Sequence, residues 1–245
     1  DDEAKLTSLL KSFSLIEGKK ILIHGGGKLA TRLAEQLGVE QKLVDGRRIT
    51  DAETLKIVTM VYAGYINKNI VAQLQANDCN AIGLSGADGN AVLAHKRITG
   101  DYGFAGDIDA VNTSLLNDLL QTHDAIVLAP ITHDGKGQLL NTNADTIAQE
   151  TAKAMSKEFD VTLIYSFEKS GVLLDVNDES SLIEQLNSAE YANLKAGAKI
   201  FAGMIPKLDN AFAALNSGVK KVVIGKAEEL IDLINGTKGT VIINE

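Results

Sequence analysis

The sequence is short of the features that would place it in several large classes of protein. It has one cysteine, Cys79, which excludes an intrachain disulfide. No Cys/His cluster has zinc-like spacing either, so Cys79 reads as a small buried apolar residue and the compartment as a reducing cytoplasm. Positive charge is scarce: 24 Lys and Arg against 32 Asp and Glu leave a net charge of -8. That is the wrong balance for a nucleic-acid surface, which needs clustered cations to displace phosphate counterions. Individual basic groups are therefore read as ligands for a small anion. No apolar run approaches the roughly 20 residues of a spanning helix, and no signal-peptide pattern opens the chain, so no membrane partner is expected. Internal repeats and low-complexity tracts are also missing. What remains, 45% hydrophobic and 23% charged in 245 residues, suits one large α/β domain or two lobes.

Apolar runs that read as strands alternate with helical patterns. The strands are Ile21 to His24, Ala81 to Leu84, Ala125 to Ala129, Val161 to Tyr165, Val222 to Ile224 and Val241 to Ile243. Such alternation predicts a mainly parallel sheet covered by helices on both faces. The Asp45-Gly46 pair suits a type I′ turn between Lys42 and Thr50, in a hairpin that turns one of Arg47 and Arg48 toward the site. Thr50 and Glu53 fit a capping box for a long helix over Asp51 to Ala76, striped by Leu55, Val58, Tyr62, Ile66, Ile70 and Leu74. A stripe of that length suits a twofold homodimer as well as packing within the chain. The composition break at Lys157 to Asp160 sets the expected lobes at residues 1–158 and 159–245.

Three local patterns carry chemistry. Lys20-Ile21-Leu22-Ile23-His24-Gly25-Gly26-Gly27-Lys28 is a strand running into three glycines and then a helix over Lys28 to Leu37. Glycines let backbone N–H groups come close to a ligand, and a helix N-terminus favours an anion there. The second is Asn141-Thr142-Asn143-Ala144-Asp145, which leads into a helix over Ala144 to Lys157. Asn141 and Asn143 can donate amide hydrogen bonds, Asp145 presents a carboxylate in the first turn, and Asn143 or Asp145 can cap the helix. The third is Gly203-Met204-Ile205-Pro206-Lys207, a helix start whose dipole disfavours a lysine unless an anion sits beside it.

Taken in order with Asn67-Lys68-Asn69 and Gly83-Leu84-Ser85-Gly86-Ala87-Asp88-Gly89, these segments resemble the amino acid kinase superfamily over nearly the whole chain. The Gly46-Arg47-Arg48-Ile49-Thr50 turn and the Asn-x-Asn-Ala-Asp segment are most similar to the branch that phosphorylates an N-acylated glutamate in arginine biosynthesis. The resemblance implies a three-layer αβα sandwich, its N-lobe binding N-acyl-L-glutamate and dimerising, its C-lobe binding ATP with Mg2+ carried by the nucleotide. It implies transfer of the γ-phosphoryl group to the side-chain carboxylate, with acetyl as the first acyl group to test and succinyl the alternative. Gly26 and Gly27 are then matched to the substrate and the moving phosphoryl, and Arg48 and Asn141 to the substrate's α-carboxylate. Asp145 is matched to orienting the catalytic lysines and Lys207 to stabilising the transition state. Glu168, Lys169, Ser170, Gly171, Lys199, Phe201 and Gly203 are matched to the nucleotide site.

Two departures from that pattern bear on the expectation. The family opens with a strand carrying Lys-x-Gly-Gly, and this sequence begins where that strand would end, so the strand is expected upstream of Asp1. Ser166-Phe167-Glu168-Lys169-Ser170-Gly171 also replaces the usual Ser/Thr-Asp-Val-x-Gly.

Other readings fit less well. Within the resembled superfamily the acceptor could instead be carbamate, aspartate or free glutamate, but the paired arginine turn and the Asn-x-Asn-Ala-Asp segment favour an N-acylated glutamate. His24-Gly25-Gly26-Gly27 with Ser85 resembles an α/β-hydrolase, but Ala87 stands where the nucleophile elbow needs glycine and no histidine follows His133. No Gly-x-Gly-x-x-Gly follows the first strand, against a dinucleotide fold. A non-catalytic binding paralogue is the reading that the missing lysine would favour.

Overall fold

The computed structural model describes residues 2–44, 47–197, 200 and 204–244, leaving aside the side chains of Arg47 and Phe167. The chain divides into two compact units, Asp1–Ile147 and Ala148–Glu245.

The first unit opens with α1 (Glu3–Ser14), capped by the Asp2 carboxylate on Lys5 N–H, followed by β1 (Lys20–Ile23) and α2 (Gly27–Gln36). Then come β2 (Lys42–Val44) and β3 (Arg47–Ile49), paired antiparallel with Leu43 opposite Arg48 and Val44 opposite Arg47. The predicted hairpin is therefore present, although its Asp45-Gly46 turn lies outside the described residues. Next, α3 (Ala52–Thr59), a π-helical turn (Met60–Ile66) and α4 (Asn67–Gln75) follow without a break between caps at Asp51 and Ala76. This is the long helix read from the apolar stripe. Val58 and Leu74 are fully buried, and Leu55, Tyr62 and Ile70 nearly so.

The start of that helix corrects the capping box. Asp51, not Thr50, is the N-cap, its carboxylate accepting from Thr54 N–H at 2.7 Å. Thr50 is instead held by the backbone: its N–H donates to Tyr102 O at 3.0 Å and its carbonyl accepts from Phe104 N–H at 2.6 Å. A residue fixed in such a bridge cannot also turn its hydroxyl onto the helix end, so the next residue takes the role.

The unit continues through β4 (Ala81–Leu84), β5 (Val92–Lys96), β6 (Gly106–Val111), α5 (Thr113–Thr122), β7 (Ala125–Leu128), β8 (Ile131–His133), β9 (Leu139–Asn141) and the start of α6 (Ala144–Met155). A parallel sheet in the order β1-β7-β4 forms the centre, and every residue of β7 is buried. A mixed sheet in the order β6-β5-β8-β9 accompanies it; these four short strands have no counterpart in the sequence-based expectation. The predicted break at Lys157 to Asp160 lies just past the end of α6, whereas the two units part within that helix.

The second unit contains β10 (Thr162–Phe167), β11 (Val172–Leu173), β12 (Leu182–Ile183), β13 (Gln185–Leu186), α7 (Ser188–Ala196), α8 (Ile205–Asn216), β14 (Lys221–Lys226), α9 (Leu230–Asn235) and β15 (Thr240–Ile242). Its sheet runs β10-β14-β15-β13, with β10 and β14 parallel and β15 antiparallel to β14. Leu208, Ala211, Phe212 and Leu215 of α8 pack on this sheet's apolar side chains, and Tyr191 of α7 stacks on Phe212 at 5.1 Å.

Candidate active site

The glycine segment leaves β1 at the carboxyl end of the parallel sheet, where α/β folds bind their ligands. Gly26 is the N-cap of α2, and no side chain caps that helix. The N–H groups of a first helical turn have no intrahelical acceptor, so a backbone anion site is available there. Only glycine fits at position 26: a Cβ there would stand 2.4 Å from Ile66 Cδ1 and 2.8 Å from Tyr62 Cδ1. The π turn thus presses directly against the loop.

Arg48 reaches the same place from β3. Its Nη2 donates to Gly27 O at 3.0 Å and to Thr31 Oγ1 at 2.9 Å, and its Nη1 donates to Gln41 Oε1. Three N–H groups of the guanidinium are used in fixing it over the first turn of α2. Burial pushes the Tyr62 phenol above its ordinary pKa, while the charge and hydrogen bond of Arg48 beside it pull the other way. Asn141 joins through Thr50, which accepts from Asn141 Nδ2 at 3.0 Å and donates to Arg48 O at 3.3 Å. One chain of hydrogen bonds therefore links Gly27, Arg48, Thr50 and Asn141. Asn143 is the cap of α6, accepting from Thr146 N–H at 3.0 Å. Asp145 is half-buried in the first turn of that helix, as expected.

Beneath the loop lies a buried polar knot. His24 Nδ1 is 2.7 Å from Gly25 O, and His24 Nε2 is 3.4 Å from Asn67 Nδ2. The fully buried Asn67 donates to Val127 O at 3.0 Å and Leu84 O at 3.4 Å, and accepts from Lys68 Nζ at 3.1 Å. Gly83 is required here because a Cβ would lie 2.1 Å from Asn67 Oδ1. Ser85 donates to Asp88 Oδ2 at 2.8 Å, locking a turn, and His133 contacts Asn90 at 2.7 Å. Ser85 thus bonds a carboxylate rather than a histidine base, and the hydrolase reading loses its nucleophile.

In the second unit, Glu168, Lys169, Gly171, Val172, Leu173 and Val176 line a cavity of about 320 Å³, with Ile200 and Met204 completing its wall. Ser170 at its rim donates to Glu179 Oε2 at 2.5 Å, and Lys226 Nζ lies 3.3 Å from the same oxygen. Lys207, in the first turn of α8, holds its Nζ 5.6 Å from the centre of the Tyr165 ring. Lys199, Phe201 and Gly203 lie outside the described residues. Among the described residues, no three metal-ligating side chains cluster and no helix is long and apolar enough to cross a membrane. Sequence reasoning missed Thr31, Gln41 and Thr50 as supports of the site, and Lys226 and Glu179 at the cavity rim. Of these, only Thr50 drew attention beforehand, and for another role.

A parallel-sheet fold with an uncapped glycine-rich helix start and a fixed arginine defines a small-anion transferase more closely than any other class considered above. The chain belongs to the amino acid kinase family, whose sequence model matches residues 1–226. It is 57% identical to the acetylglutamate kinase of Bacteroides fragilis over 232 residues, 94% of this chain and 89% of that protein. To the acetylglutamate kinase of Phocaeicola vulgatus it is 56% identical over 244 residues, 99% of this chain and 93% of that one. Among solved structures, the smu.665 protein of Streptococcus mutans superposes with a TM-score of 0.81 at 27% identity, covering 96% of this chain and 90% of that one. The expected fold class, and the expected phosphotransferase acting on an N-acylated glutamate, agree with these findings.

Proposed function

We propose that the protein transfers the γ-phosphoryl group of ATP to the side-chain carboxylate of N-acetyl-L-glutamate, in arginine biosynthesis. An oxygen of the carboxylate forms a bond to the γ-phosphorus, the bond to the β-phosphate oxygen breaks, and ADP leaves beside an acyl phosphate. The observation that carries this reading is the guanidinium of Arg48, fixed over Gly27 and linked through Thr50 to Asn141. A planar fork beside a backbone anion site suits a ligand with a carboxylate to hold and a second to react.

The nucleophile is ionised at neutral pH, so no general base is needed. Catalysis reduces to positioning and to matching charge on the transferring oxygens. Gly26 and Gly27 supply N–H donors in the first unit, and Asn141 with Arg48 holds the α-carboxylate. In the second unit the cavity beside Glu168, Lys169, Ser170 and Gly171 takes the nucleotide, together with Lys199, Phe201 and Gly203. Lys207 is assigned the cation that strengthens its hold as the phosphoryl group moves, and Asp145 the orienting of the catalytic lysines. Mg2+ arrives on the phosphates of ATP, the usual mode for this ion, and spreads their charge.

A twofold homodimer is part of the proposal. Leu29, Leu33, Met60, Val61 and Tyr65, with Arg32 and Gln36, line a mainly apolar groove between α2 and the π turn, with Met60 and Tyr65 more than half exposed. A second copy of the long helix would cover them. The cytoplasm, where ATP and free amino acid derivatives are available, is the proposed compartment.

Hydroxylamine trapping tests the reaction directly, because it converts an acyl phosphate to a hydroxamate that colours with ferric ion. Hydroxamate formation with N-acetylglutamate and MgATP, paired with equal ADP release, is the expected result. A folded protein that yields none with N-acetyl- or N-succinylglutamate refutes the reading.

A further inference from the structure

His24 follows β1 and opens the glycine segment, and it is buried. Its Nδ1 lies 2.7 Å from the carbonyl oxygen of Gly25. A carbonyl only accepts, so Nδ1 carries the hydrogen and Nε2 keeps its lone pair. The far side of the ring agrees. Asn67 Nδ2 faces Nε2 at 3.4 Å, and the amide cannot be turned over, since Nδ2 also donates to Val127 O and Oδ1 accepts from Lys68 Nζ. The Gly25 carbonyl thus specifies the tautomer, and the Asn67 amide, whose two hydrogens are shared among Val127 O, Leu84 O and Nε2, is compatible with it. Burial holds the imidazole below its ordinary pKa, while its hydrogen bond to the Gly25 carbonyl pulls the other way.

The segment it precedes has little stiffness of its own. Peptides flanked by glycine rotate easily, and the Gly25–Gly26 unit could present either edge to the site. In a trans peptide, C=O and N–H point in opposite directions. If that peptide turned over, it would aim a carbonyl dipole at an anion.

We propose that His24 is a positioning residue, which as its Nδ1–H tautomer holds the Gly25 carbonyl against the ring so that the Gly26 N–H on the opposite edge faces the transferred phosphoryl. The proposal rests on the kinase reading of this site. It assigns His24 no contact with substrate and no proton transfer. The Asn67 amide and the Gly83 backbone that accommodates it become the outer supports of the same peptide.

The two amide replacements separate this role from simple filling of space. The asparagine amide reaches the Nδ1 position and can still donate to Gly25 O, whereas the glutamine amide reaches the Nε2 position and cannot. His24→Leu and His24→Gln should lower kcat roughly a hundredfold, the usual loss for one preorganised donor, with KM for N-acetylglutamate changed less than about threefold. His24→Asn should recover most of the rate. Long-range nitrogen NMR of imidazole-labelled protein gives an activity-independent reading, expected to show the Nδ1–H form. Wild-type kcat in the Leu and Gln variants, a loss confined to KM, equal losses in Asn and Gln, or an Nε2–H imidazole would each overturn the proposal. Wild-type protein lacking hydroxamate formation would remove the kinase reading and this role with it, a failure seen before any variant is made.

Discussion

Replacement of Arg48 gives a quantitative test of substrate placement. Its guanidinium is held by Gly27 O, Thr31 Oγ1 and Gln41 Oε1, so its direction is fixed before substrate arrives. A carboxylate that accepts from such a group forms charge-assisted hydrogen bonds worth on the order of 1.5–3 kcal/mol, or roughly 10- to 150-fold in affinity. The α-carboxylate is remote from the reacting oxygen, so this contact is similar in ground and transition states and acts as uniform binding. Arg48→Ala should therefore raise KM for N-acetylglutamate within that range, leave KM for ATP nearly unchanged, and lower kcat by less than about fivefold. Coupled ADP release at saturating ATP reads both constants. The variant also removes donors to Gly27 O and Thr31, which loosens the first turn of α2. Thr31→Val controls for this, since it deletes one of those bonds and keeps the charge; its effect should be below about threefold. A large loss of kcat with KM unchanged would place Arg48 at the transferring group. Small, equal effects in both variants would make it a structural clamp only.

Lys207→Met should lower kcat about a hundredfold or more with little change in substrate KM, because a cation aimed at the transferring phosphoryl acts mainly in the transition state; a raised KM at normal kcat contradicts this. Asn67→Leu should cost about 1–3 kcal/mol in urea unfolding, since it removes the buried amide's donors to Val127 O and Leu84 O; unchanged stability contradicts the polar knot. His24 is held neutral by burial, so its folded pKa is below the unfolded one. Its contribution is present above the ordinary histidine pKa of about 6.5 and is lost as pH falls through the lower folded value, and His24→Asn should abolish that part of the decline in Tm on acidification below it. Light scattering should report a dimer at micromolar concentration, and Tyr65→Lys should shift it toward monomer; a wild-type monomer ends the dimer proposal.

Local signals made the frame readable. The strand ending in three glycines, the helix starting after it and the stripe from Leu55 to Leu74 are all encoded within a few residues of each other. The supports of Arg48 are not. Thr31 lies 17 positions and Gln41 seven positions away in sequence, and the Asn141–Thr50 bond spans 91. Thr50 misled because a Thr-x-x-Glu pattern is a capping signature, while the backbone bridge that occupies Thr50 comes from the segment around Gly103. The strands at 92–96, 106–111, 131–133 and 139–141 were missed because several are only three residues long or carry charged residues, and pairing with neighbours rather than periodicity defines them.

The π turn had a signal of its own in the sequence. From Val58 the apolar stripe advances by four, through Tyr62, Ile66 and Ile70 to Leu74. Each step of four overshoots a turn of an α-helix by about 40°, so four steps would carry Leu74 about 160° away from Val58, onto the opposite face. Yet both side chains are fully buried. The turn Met60–Ile66, whose winding is wider, lies between them. Its placement also fixes the site. Tyr62 and Ile66, the two stripe residues within the turn, are the pair that leave no room for a Cβ on Gly26. Asn67, the next residue, reaches the ends of β4 and β7 and braces His24. A uniform α-helix through this segment would change the facing of Tyr62 and Ile66 relative to Asn67, releasing either the glycine loop or the imidazole beneath it. The sustained spacing of four, the glycine at position 26 and the buried asparagine are therefore one structural requirement, written in three separate places in the chain.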